Sequence, residues 1–162
     1  MNQQPIPEDR RPTTSPAGEA SERQRWLAVL ARATTSDLEV LWADTDSPPI
    51  TVLRQPEVGL VMARGRAGGT GQRFNLGEIT VTRCSVRSTE GQVGHGYVSG
   101  RDKRKAELVA SFDALLQAPR YHAGLMDRVV APLAKAQAEA RAAMEAKAAA
   151  TRVEFFTMTR GE

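Results

Sequence analysis

The chain has 162 residues, a formal net charge of +3, and 41% apolar and 25% charged side chains, a composition typical of one globular domain and not of a disordered chain. One cysteine and two histidines exclude an internal disulfide framework and a multi-cysteine metal site, so we predict that the chain binds no metal. The sequence has no run of 18 apolar residues and no hydrophobic leader, which predicts a cytoplasmic protein without a membrane-spanning helix.

Two helices are predicted after a disordered N-terminal tail. Residues 1–20 contain four prolines and almost no apolar side chains, which predicts the tail. Ser21 and Gln24 have the spacing of a capping box, and a helical apolar stripe follows them. Ser36 and Glu39 repeat this signature before a second stripe, which a proline pair ends. The two helices are predicted to form a hairpin that covers one face of the elements that follow.

The middle of the chain changes to β-type sequence. Apolar and β-branched residues alternate or cluster over four short segments, which predicts strands at residues 50–54, 58–63, 79–86 and 92–98. Gly94 and Gly96 weaken the last of these predictions, because glycine in a strand interior has no side chain to pack. The short connections favour an antiparallel meander.

Helical periodicity returns after the last predicted strand. Apolar residues follow the i, i+3, i+4, i+7 spacing over residues 106–116, with a cap at Asp102 or Ser99. A further helix is predicted to begin near Tyr121 and to continue into residues 133–150, where ten of eighteen residues are alanine. Alanine favours helix but buries little apolar area, so we expect this helix to project as an arm or to pack closely against another backbone.

The closing segment combines aromatic and apolar residues after the alanine-rich helix. Because aromatic residues make up only 5% of the chain, we predict a thin core and a folding surface that a partner completes. The closing segment could fold back as a core strand. Because aromatic residues and Met are favoured at interface centres, we instead predict that it anchors this chain to another subunit, through Val153, Phe155, Phe156 and Met158.

The predicted fold class is α+β, with an N-terminal helical pair, a small antiparallel sheet, two C-terminal helices and an extended C-terminal segment. Residues 21–162 form one predicted domain, which includes a C-terminal helical arm and tail over residues 133–162.

The positive charge is concentrated in the middle third of the chain. Between Val58 and Lys105, nine basic and three acidic residues give a net charge of +6, whereas the preceding segment carries −3 and the following segment is neutral. Such a local field favours anionic partners, namely phosphate esters, nucleic acid or an acidic protein face.

The strongest local feature is the segment from Arg64 to Phe74, which has four glycines within seven residues. Glycines let successive backbone N–H groups point into one concavity, and the flanking arginines suit phosphate or phosphonate oxygens. The spacing matches neither a Walker loop nor a dinucleotide-binding fingerprint. From these residues alone we favour a simpler interpretation, a strand connection that needs glycines for its turns. The candidate anion-binding or interface residues are Arg66, Gly68, Gly69, Thr70, Gly71 and Arg73.

A second basic cluster precedes the third predicted helix and supplies Arg101 and Lys103 as further candidates. Cations at a helix N-terminus oppose the macrodipole, and an anion bound there would be held by both the dipole and the cations. The alternative is that the lysines extend into solvent while Asp102 caps the helix. The sequence gives these two interpretations equal weight.

The reactive side chains do not form a catalytic constellation in the sequence. His95 has no nearby carboxylate partner in sequence and His122 lies at a predicted helix start, so we favour structural or solvent-facing histidines. Cys84 lies in a predicted strand, where a small buried hydrophobic residue is a commoner role than a reactive thiol. The catalytic residues are therefore left unassigned.

Several segments together resemble the PhnG family of bacterial carbon–phosphorus lyase subunits. The resemblance spans residues 23–161 in the same order, and the set is far more specific than any one block. The segments that carry it are Arg25-Trp26, Gly59-Leu-Val, Arg66-Ala-Gly-Gly-Thr-Gly-Gln-Arg-Phe74, Thr82-Arg83, Gly100-Arg-Asp-Lys103, Asp113-Ala-Leu-Leu-Gln117, Arg152-Val-Glu-Phe-Phe-Thr-Met158 and Arg160-Gly161.

The resemblance implies a function in organic phosphonate catabolism. PhnG proteins belong to a multi-subunit core complex that, with PhnI-, PhnH- and PhnL-type proteins, lets an alkylphosphonate displace adenine from the ribose C1 of ATP. A PhnJ-type radical subunit acts on the product. ATP and Mg are then substrates of the complex, and no cofactor is expected on this chain alone. The nucleosidase chemistry belongs to the PhnI-type subunit, so the resemblance implies a required partner rather than the main catalytic chain.

Two other classes of function remain open at the level of sequence. A free-standing phosphate- or nucleic-acid-binding module could use the basic surface between Val58 and Lys105, although its two aromatic residues give little base-stacking area. An independent small enzyme needs a convergent acid–base pair, which the sequence does not indicate.

Overall fold

The computed structural model of this chain describes residues 21–150, in which helices precede and follow one antiparallel sheet. The helices are α1 (Glu22–Arg32), α2 (Thr35–Ala43), α3 (Lys103–Leu116), α4 (Pro119–Leu125) and α5 (Ala131–Ala150), and a π-helical turn (Met126–Val130) joins α4 to α5. The strands are β1 (Ile50–Arg66), β2 (Arg73–Ser88) and β3 (Val93–Ser99). This order confirms the α+β fold class, while the 1–20 tail and the extended C-terminal segment lie outside the described residues.

The N-terminal helices begin at side-chain caps. The Ser21 hydroxyl accepts from the Gln24 amide at 3.3 Å and the Gln24 side chain accepts from the Ser21 amide at 2.8 Å, which confirms the predicted capping box. The start predicted for α2 at Ser36 is wrong by two residues. The hydroxyl of Thr34 accepts from the Asp37 amide at 3.1 Å, so Thr34 is the cap.

The prediction of four strands is wrong, because the first two predicted segments form the single strand β1. The three strands are in the order β1-β2-β3, and the β1–β2 pairing runs from Ile50 opposite Ser88 to Arg66 opposite Arg73. The register shifts between Arg54 and Glu57, where a proline interrupts the sequence pattern. A bulge lets a strand pass a residue that cannot donate to the ladder, so the strand continues where the sequence indicates a break.

Helix α3 packs on one face of β2 and β3, with its backbone close to the backbone of β3. A Cβ added at Gly94 would lie 1.9 Å from the Ala110 carbonyl oxygen, and one added at Gly96 would lie 2.0 Å from the Ala106 carbonyl oxygen. The two glycines therefore permit the closest packing in the core, against a row of alanines four residues apart on α3. In the sequence these glycines weaken the prediction of a strand here; in the structure they allow α3 to pack directly on that strand.

One buried carboxylate joins α1, β3 and α3. Asp113 is fully buried and accepts from Arg23 at 3.1 and 2.7 Å, from the Trp26 indole at 2.9 Å and from the His95 backbone amide at 2.8 Å. Arg23 and Gln117 also donate to the carbonyl of Val93. These hydrogen bonds pair the buried charge of Asp113. They also occupy backbone groups on the edge of β3 that faces away from β2.

The π-helical turn joins α4 and α5 into one continuous helix. Pro119 is the first residue of α4, where its missing N–H costs nothing, so this helix begins two residues before the predicted start. The π-helical turn ends two residues before Pro132, whose ring would collide with the carbonyl of Arg128 in a regular α-helix. No residue of α5 is buried, which agrees with its predicted poverty in packing area. Among residues 21–150, none of the helices combines the length and apolar character needed to cross a membrane.

Candidate functional site

The C-terminal half of β1 and the N-terminal half of β2, which we call the upper halves, extend beyond the part of the sheet that includes β3. Strand β3 pairs with β2 only from Val81 to Arg87, so β1 and β2 form a two-stranded ribbon from residue 60 to residue 80, with a turn at its end. Residues 58 and 59, at the base of this ribbon, are included with it. We call this segment the hairpin arm. A two-stranded ribbon is marginally stable in water by itself.

Both faces of the hairpin arm carry exposed apolar side chains. Val58, Leu60 and Met62 alternate along β1 and therefore share one face, where Leu60 is 61% exposed. Leu76 and Ile79 lie on the opposite face, since Ile79 pairs with Val61 rather than with Leu60. Leu76, which is 64% exposed, rests on Gly65. Apolar side chains on both faces indicate a segment that another surface covers.

The glycine-rich segment forms the turn at the end of the hairpin arm. A short 3₁₀ turn spans Ala67–Gly69, and Gly68 has a φ of +57°. The Gly71 amide donates to the Ala67 carbonyl at 2.8 Å, and a Cβ at Gly71 would lie 2.5 Å from that oxygen. These contacts confirm that the glycines serve the turn.

The same turn holds two arginines directly opposite each other. Arg66 and Arg73 are a cross-strand pair, both exposed, and the Arg66 guanidinium lies 3.4 Å from the Gly71 carbonyl oxygen. Thr70 is exposed beside them. Like charges directly opposite on two strands are unfavourable, and an anion placed between them removes that cost. The turn thus gathers the predicted residues from Arg66 to Arg73 into one small basic surface.

The structure does not bring Arg101 and Lys103 to this turn. Both residues are exposed near the start of α3, where the Gly100 amide donates to the Thr80 carbonyl at 2.9 Å. Thr80 and Arg73 are seven residues apart on β2, which is about 23 Å at the rise of a strand. The basic middle third of the sequence is therefore divided between separate places.

Asp102 occupies the N-terminus of α3, as one of the two predicted interpretations required. Its carboxylate accepts from the Lys105 amide at 2.9 Å and from the Thr35 hydroxyl at 2.5 Å. The hydrogen bond from Thr35, followed by that from the Lys105 amide, lowers the pKa of Asp102 below its ordinary value. An anion bound at this helix end would lie beside the Asp102 carboxylate, which would repel it. Anion binding by Arg101 and Lys103 stays a prediction.

The histidines and the cysteine have structural surroundings. His122 contacts the Leu116 carbonyl at 2.7 Å through Nδ1, and its ring packs against Trp26 with centroids 5.6 Å apart. Cys84 is 2% exposed, and burial raises the pKa of its thiol, which confirms a small buried residue. Among the described residues, the His95 ring contacts Ser85 at 3.0 Å, and the nearby Asp113 carboxylate takes its backbone amide instead. Within residues 21–150, these three side chains therefore do not form a serine–histidine–carboxylate triad.

Comparisons with known proteins match most of the chain to one family. Residues 21–161 match the model of a family described as "Phosphonate metabolism protein PhnG". A relative from Rhizobium meliloti (strain 1021) is 47% identical over 151 residues, which cover 93% of this chain and 96% of the relative. The chain belongs to the PhnG family. The relative is named "Alpha-D-ribose 1-methylphosphonate 5-triphosphate synthase subunit PhnG".

The extent of the family match confirms the resemblance found in the sequence. It covers the hairpin arm, the alanine-rich helix and the closing segment with Val153, Phe155, Phe156 and Met158, although that segment lies outside the described residues. It begins at Ser21, so the proline-rich tail is not part of the match. Membership in the PhnG family therefore applies to the folded body, to the hairpin arm and to the alanine-rich helix.

Sequence reasoning missed the apolar character of the hairpin arm as a functional signal. The alternation of Val58, Leu60 and Met62 is visible in the sequence, but the same pattern predicts an ordinary strand on a core. Only the placement of the helices shows that these side chains of the PhnG chain remain exposed. In residues 21–150, no three His, Cys, Asp or Glu side chains are placed to hold a metal ion.

Proposed function

We propose that this PhnG chain is an obligate subunit of the carbon–phosphorus lyase core complex. In this proposal the complex transfers an alkylphosphonate to the ribose C1 of ATP and releases adenine, as part of cytoplasmic phosphonate catabolism. ATP and Mg enter as substrates of the whole complex. The printed name of the relative, a subunit of a synthase whose product carries a phosphonate and a triphosphate on one ribose, supports this assignment.

The observation that carries the subunit role is the hairpin arm. Its apolar side chains lie on both faces, and they include Leu60, Leu76 and Ile79 at 48–64% exposure. A free-standing monomer rarely leaves such a ribbon in water, whereas an obligate interface buries this kind of surface. The partners we propose are the PhnI-, PhnH-, PhnJ- and PhnL-type subunits.

We place the chemistry on a sister subunit and a supporting electrostatic role on the arm's turn. Among the described residues, the Ser85–His95 pair has no carboxylate on its ring, and His122 Nε2 lies 3.4 Å from the exposed Glu22 carboxylate on the helical side of the body. The reaction involves an anionic phosphonate and a triphosphate, which the cations of the turn suit better than these pairs do. In this proposal Arg66 and Arg73, a cross-strand pair, hold an anionic group together with the turn from Gly68 to Gly71 and the Thr70 hydroxyl. That group belongs either to the substrate or to the catalytic subunit that the turn braces.

The assembly test is co-expression with the sister subunits, followed by size-exclusion chromatography with light scattering. A Leu60→Thr/Met62→Thr variant should lose at least half of its assembly, because it removes apolar area from one arm face. Val40→Thr is the matched control, since Val40 is 71% exposed on α2. A wild-type chain that ignores all sister subunits would reject the proposed function.

A second test addresses the turn. Arg66→Ala and Arg73→Ala should lower the turnover of a fully assembled complex about tenfold or more, because each removes a cation from the anion-holding surface. Arg32→Ala, on the exposed end of α1, controls for the loss of one charge. Unchanged turnover in an intact complex would leave the turn with a purely structural role.

We also propose that the closing segment is a second anchor, through Val153, Phe155, Phe156 and Met158. Deletion of residues 153–162 should abolish association while helix content, measured by circular dichroism, remains largely intact. Association that survives the deletion would contradict this part of the proposal.

Salt dependence separates this function from a free-standing phosphate- or nucleic-acid-binding module. Binding to a phosphate backbone weakens steeply as salt concentration rises, because counterions are released. An interface built on the apolar arm should persist in 1 M salt. We therefore expect a salt-resistant complex with the sister subunits and no tight binding of single-stranded nucleic acid.

A further inference from the structure

The sheet has a second face that no described helix covers. Helix α3 packs on the face of β2 that carries Cys84 and Val86, and the intervening residues of β2 point the other way. Across that other face, the register places three rows side by side. They are Glu57–Arg83–Tyr97, Arg54–Ser85–His95 and Thr51–Arg87–Val93. We call these nine residues the bare sheet face.

The bare sheet face carries more positive than negative charge. Glu57 Oε1 lies 2.6 Å from the Arg83 guanidinium and 3.6 Å from that of Arg54, so one carboxylate is shared between two cations. Arg87 adds a third exposed guanidinium one row further along β2. Arg54 and Arg83 are about half exposed and Arg87 is exposed, so with Glu57 the surface carries a net charge of +2.

The centre of this face is rigid and polar. The His95 ring and the Ser85 hydroxyl form a hydrogen bond of 3.0 Å across β2 and β3. Beneath them, the buried carboxylate of Asp113 holds the His95 backbone amide at 2.8 Å. Side chains presented from a fixed strand lose little freedom when they bind, which favours a tight complex.

The shape of the bare sheet face favours a protein partner over a small anion. Small-molecule sites are concave and enclose their ligand, whereas the side chains here rise from three paired strands of an open sheet. Arginine and tyrosine are also the residues that dominate protein interfaces, and Tyr97 is 51% exposed beside Arg83.

We propose that the bare sheet face docks an acidic surface of a sister subunit in the PhnG-containing complex. This inference rests on the proposed function, and it names a second contact that is distinct from the apolar contact of the hairpin arm. The partner surface must supply carboxylates opposite Arg83 and Arg87 and acceptors for the Ser85–His95 centre. Such a contact fixes orientation, since an apolar ribbon alone gives little directional preference.

The test measures how fast the chain leaves a complex assembled with the co-expressed sister subunits. Arg83→Glu/Arg87→Glu should speed release at least about 100-fold, because two interface arginines are replaced by repelling charges. Arg83→Gln/Arg87→Gln should speed it about tenfold or more. Arg32→Glu/Arg141→Glu changes the net charge equally on exposed helix surfaces and should leave the rate within twofold. The unfolding midpoint of each variant checks that the body remains folded.

Salt adds an independent measurement of the same contact. Raising NaCl from 0.1 to 1 M shortens the Debye length from about 10 to about 3 Å. The wild-type complex should persist through the hairpin arm, but its release rate should approach that of the glutamine variant. The glutamine variant should show little further change.

The outcomes separate this inference from the proposed function. Unchanged release for the glutamate variant, with release by Leu60→Thr/Met62→Thr, would overturn the docking face and leave the subunit role intact. Failure of the wild-type chain to assemble would reject both. Binding of inorganic tripolyphosphate that these variants lose, with unchanged subunit release, would overturn the inference in favour of a small-anion site.

Discussion

The lower and upper halves of the β1–β2 ribbon share the same strands and differ in almost everything that surrounds them. In the lower half, Cys84 and Val86 lie under α3 and are at most 2% exposed. In the hairpin arm, Leu60 and Leu76 are more than 60% exposed. The free energy of folding is therefore concentrated in the body, whereas the apolar area of the arm is available for association.

The largest expected effect would come from breaking the packing of the body. Gly94→Ala or Gly96→Ala should cost at least about 4 kcal/mol, beyond ordinary overpacking, because the new Cβ meets backbone atoms of α3. Chemical unfolding monitored by circular dichroism measures this cost.

Gly59→Ala on the hairpin arm is the matched control for these glycine variants. A Cβ at Gly59 would meet nothing within 4 Å, so its stability should change by less than about 0.5 kcal/mol. Equal losses at Gly59 and Gly94 would contradict the distinction between arm and body.

Removal of the buried charge of the body should have the next largest effect. Asp113→Asn should cost about 3 kcal/mol, the lower end for breaking a buried pair, because Arg23 is 38% exposed and water can solvate it. Chemical unfolding followed by tryptophan fluorescence measures this loss of unfolding free energy. A loss below about 1 kcal/mol would show that Asp113 does not hold α1, β3 and α3 together.

The cap of α3 should contribute less, with a defined pH dependence. Asp102→Ala should cost about 1 kcal/mol at neutral pH, and Asp102→Asn clearly less, because asparagine also caps a helix. Since the folded-state pKa lies below the ordinary value of 3.8, the charge stabilises the fold above that pH and ceases to do so as pH falls through the folded pKa.

The difference in unfolding free energy between wild type and Asp102→Asn should therefore shrink as pH falls from 5 to 3. Unfolding experiments at several pH values measure it. A difference that stays constant or grows toward low pH would have the wrong sign for a depressed carboxyl pKa.

The smallest effect on the isolated chain is expected in the hairpin arm. Leu60→Thr/Met62→Thr should change the free energy of unfolding by less than about 0.5 kcal/mol, because both side chains are already largely in solvent. The same variant should lose assembly, so stability and association would separate. A stability loss comparable to that of Gly94→Ala would place the arm within the folding unit of the body.

Local signals in the sequence predicted part of this arrangement. The capping box at Ser21 and the apolar spacing of α3 depend on neighbours within a few residues, so the sequence contains them completely. The union of two predicted strands into β1 depends on a bulge near Glu57, which requires the partner strand to be known. Short-range chemistry was therefore predictable, and pairing irregularities were not.

Features that depend on tertiary packing could not be predicted from the sequence. Gly94 and Gly96 weaken the prediction of β3 from the sequence, because nothing in a single strand shows that a helix backbone approaches it. The basic residues of the middle third were read as one surface. The sheet register instead separates Arg73 from Arg101 by most of the arm, and places Arg83 and Arg87 on a face of their own.

The hydrogen bond from the His95 amide to Asp113 also provides a kinetic probe of folding. Amide protons on an edge strand usually exchange with solvent quickly, but this one is held by a carboxylate that is fully buried. This amide proton can exchange only when α3 separates from β3. The same Asp113 carboxylate also binds Arg23, which is 90 residues away in sequence. The exchange rate at His95 should therefore report the lifetime of the whole body, from a single amide at its edge.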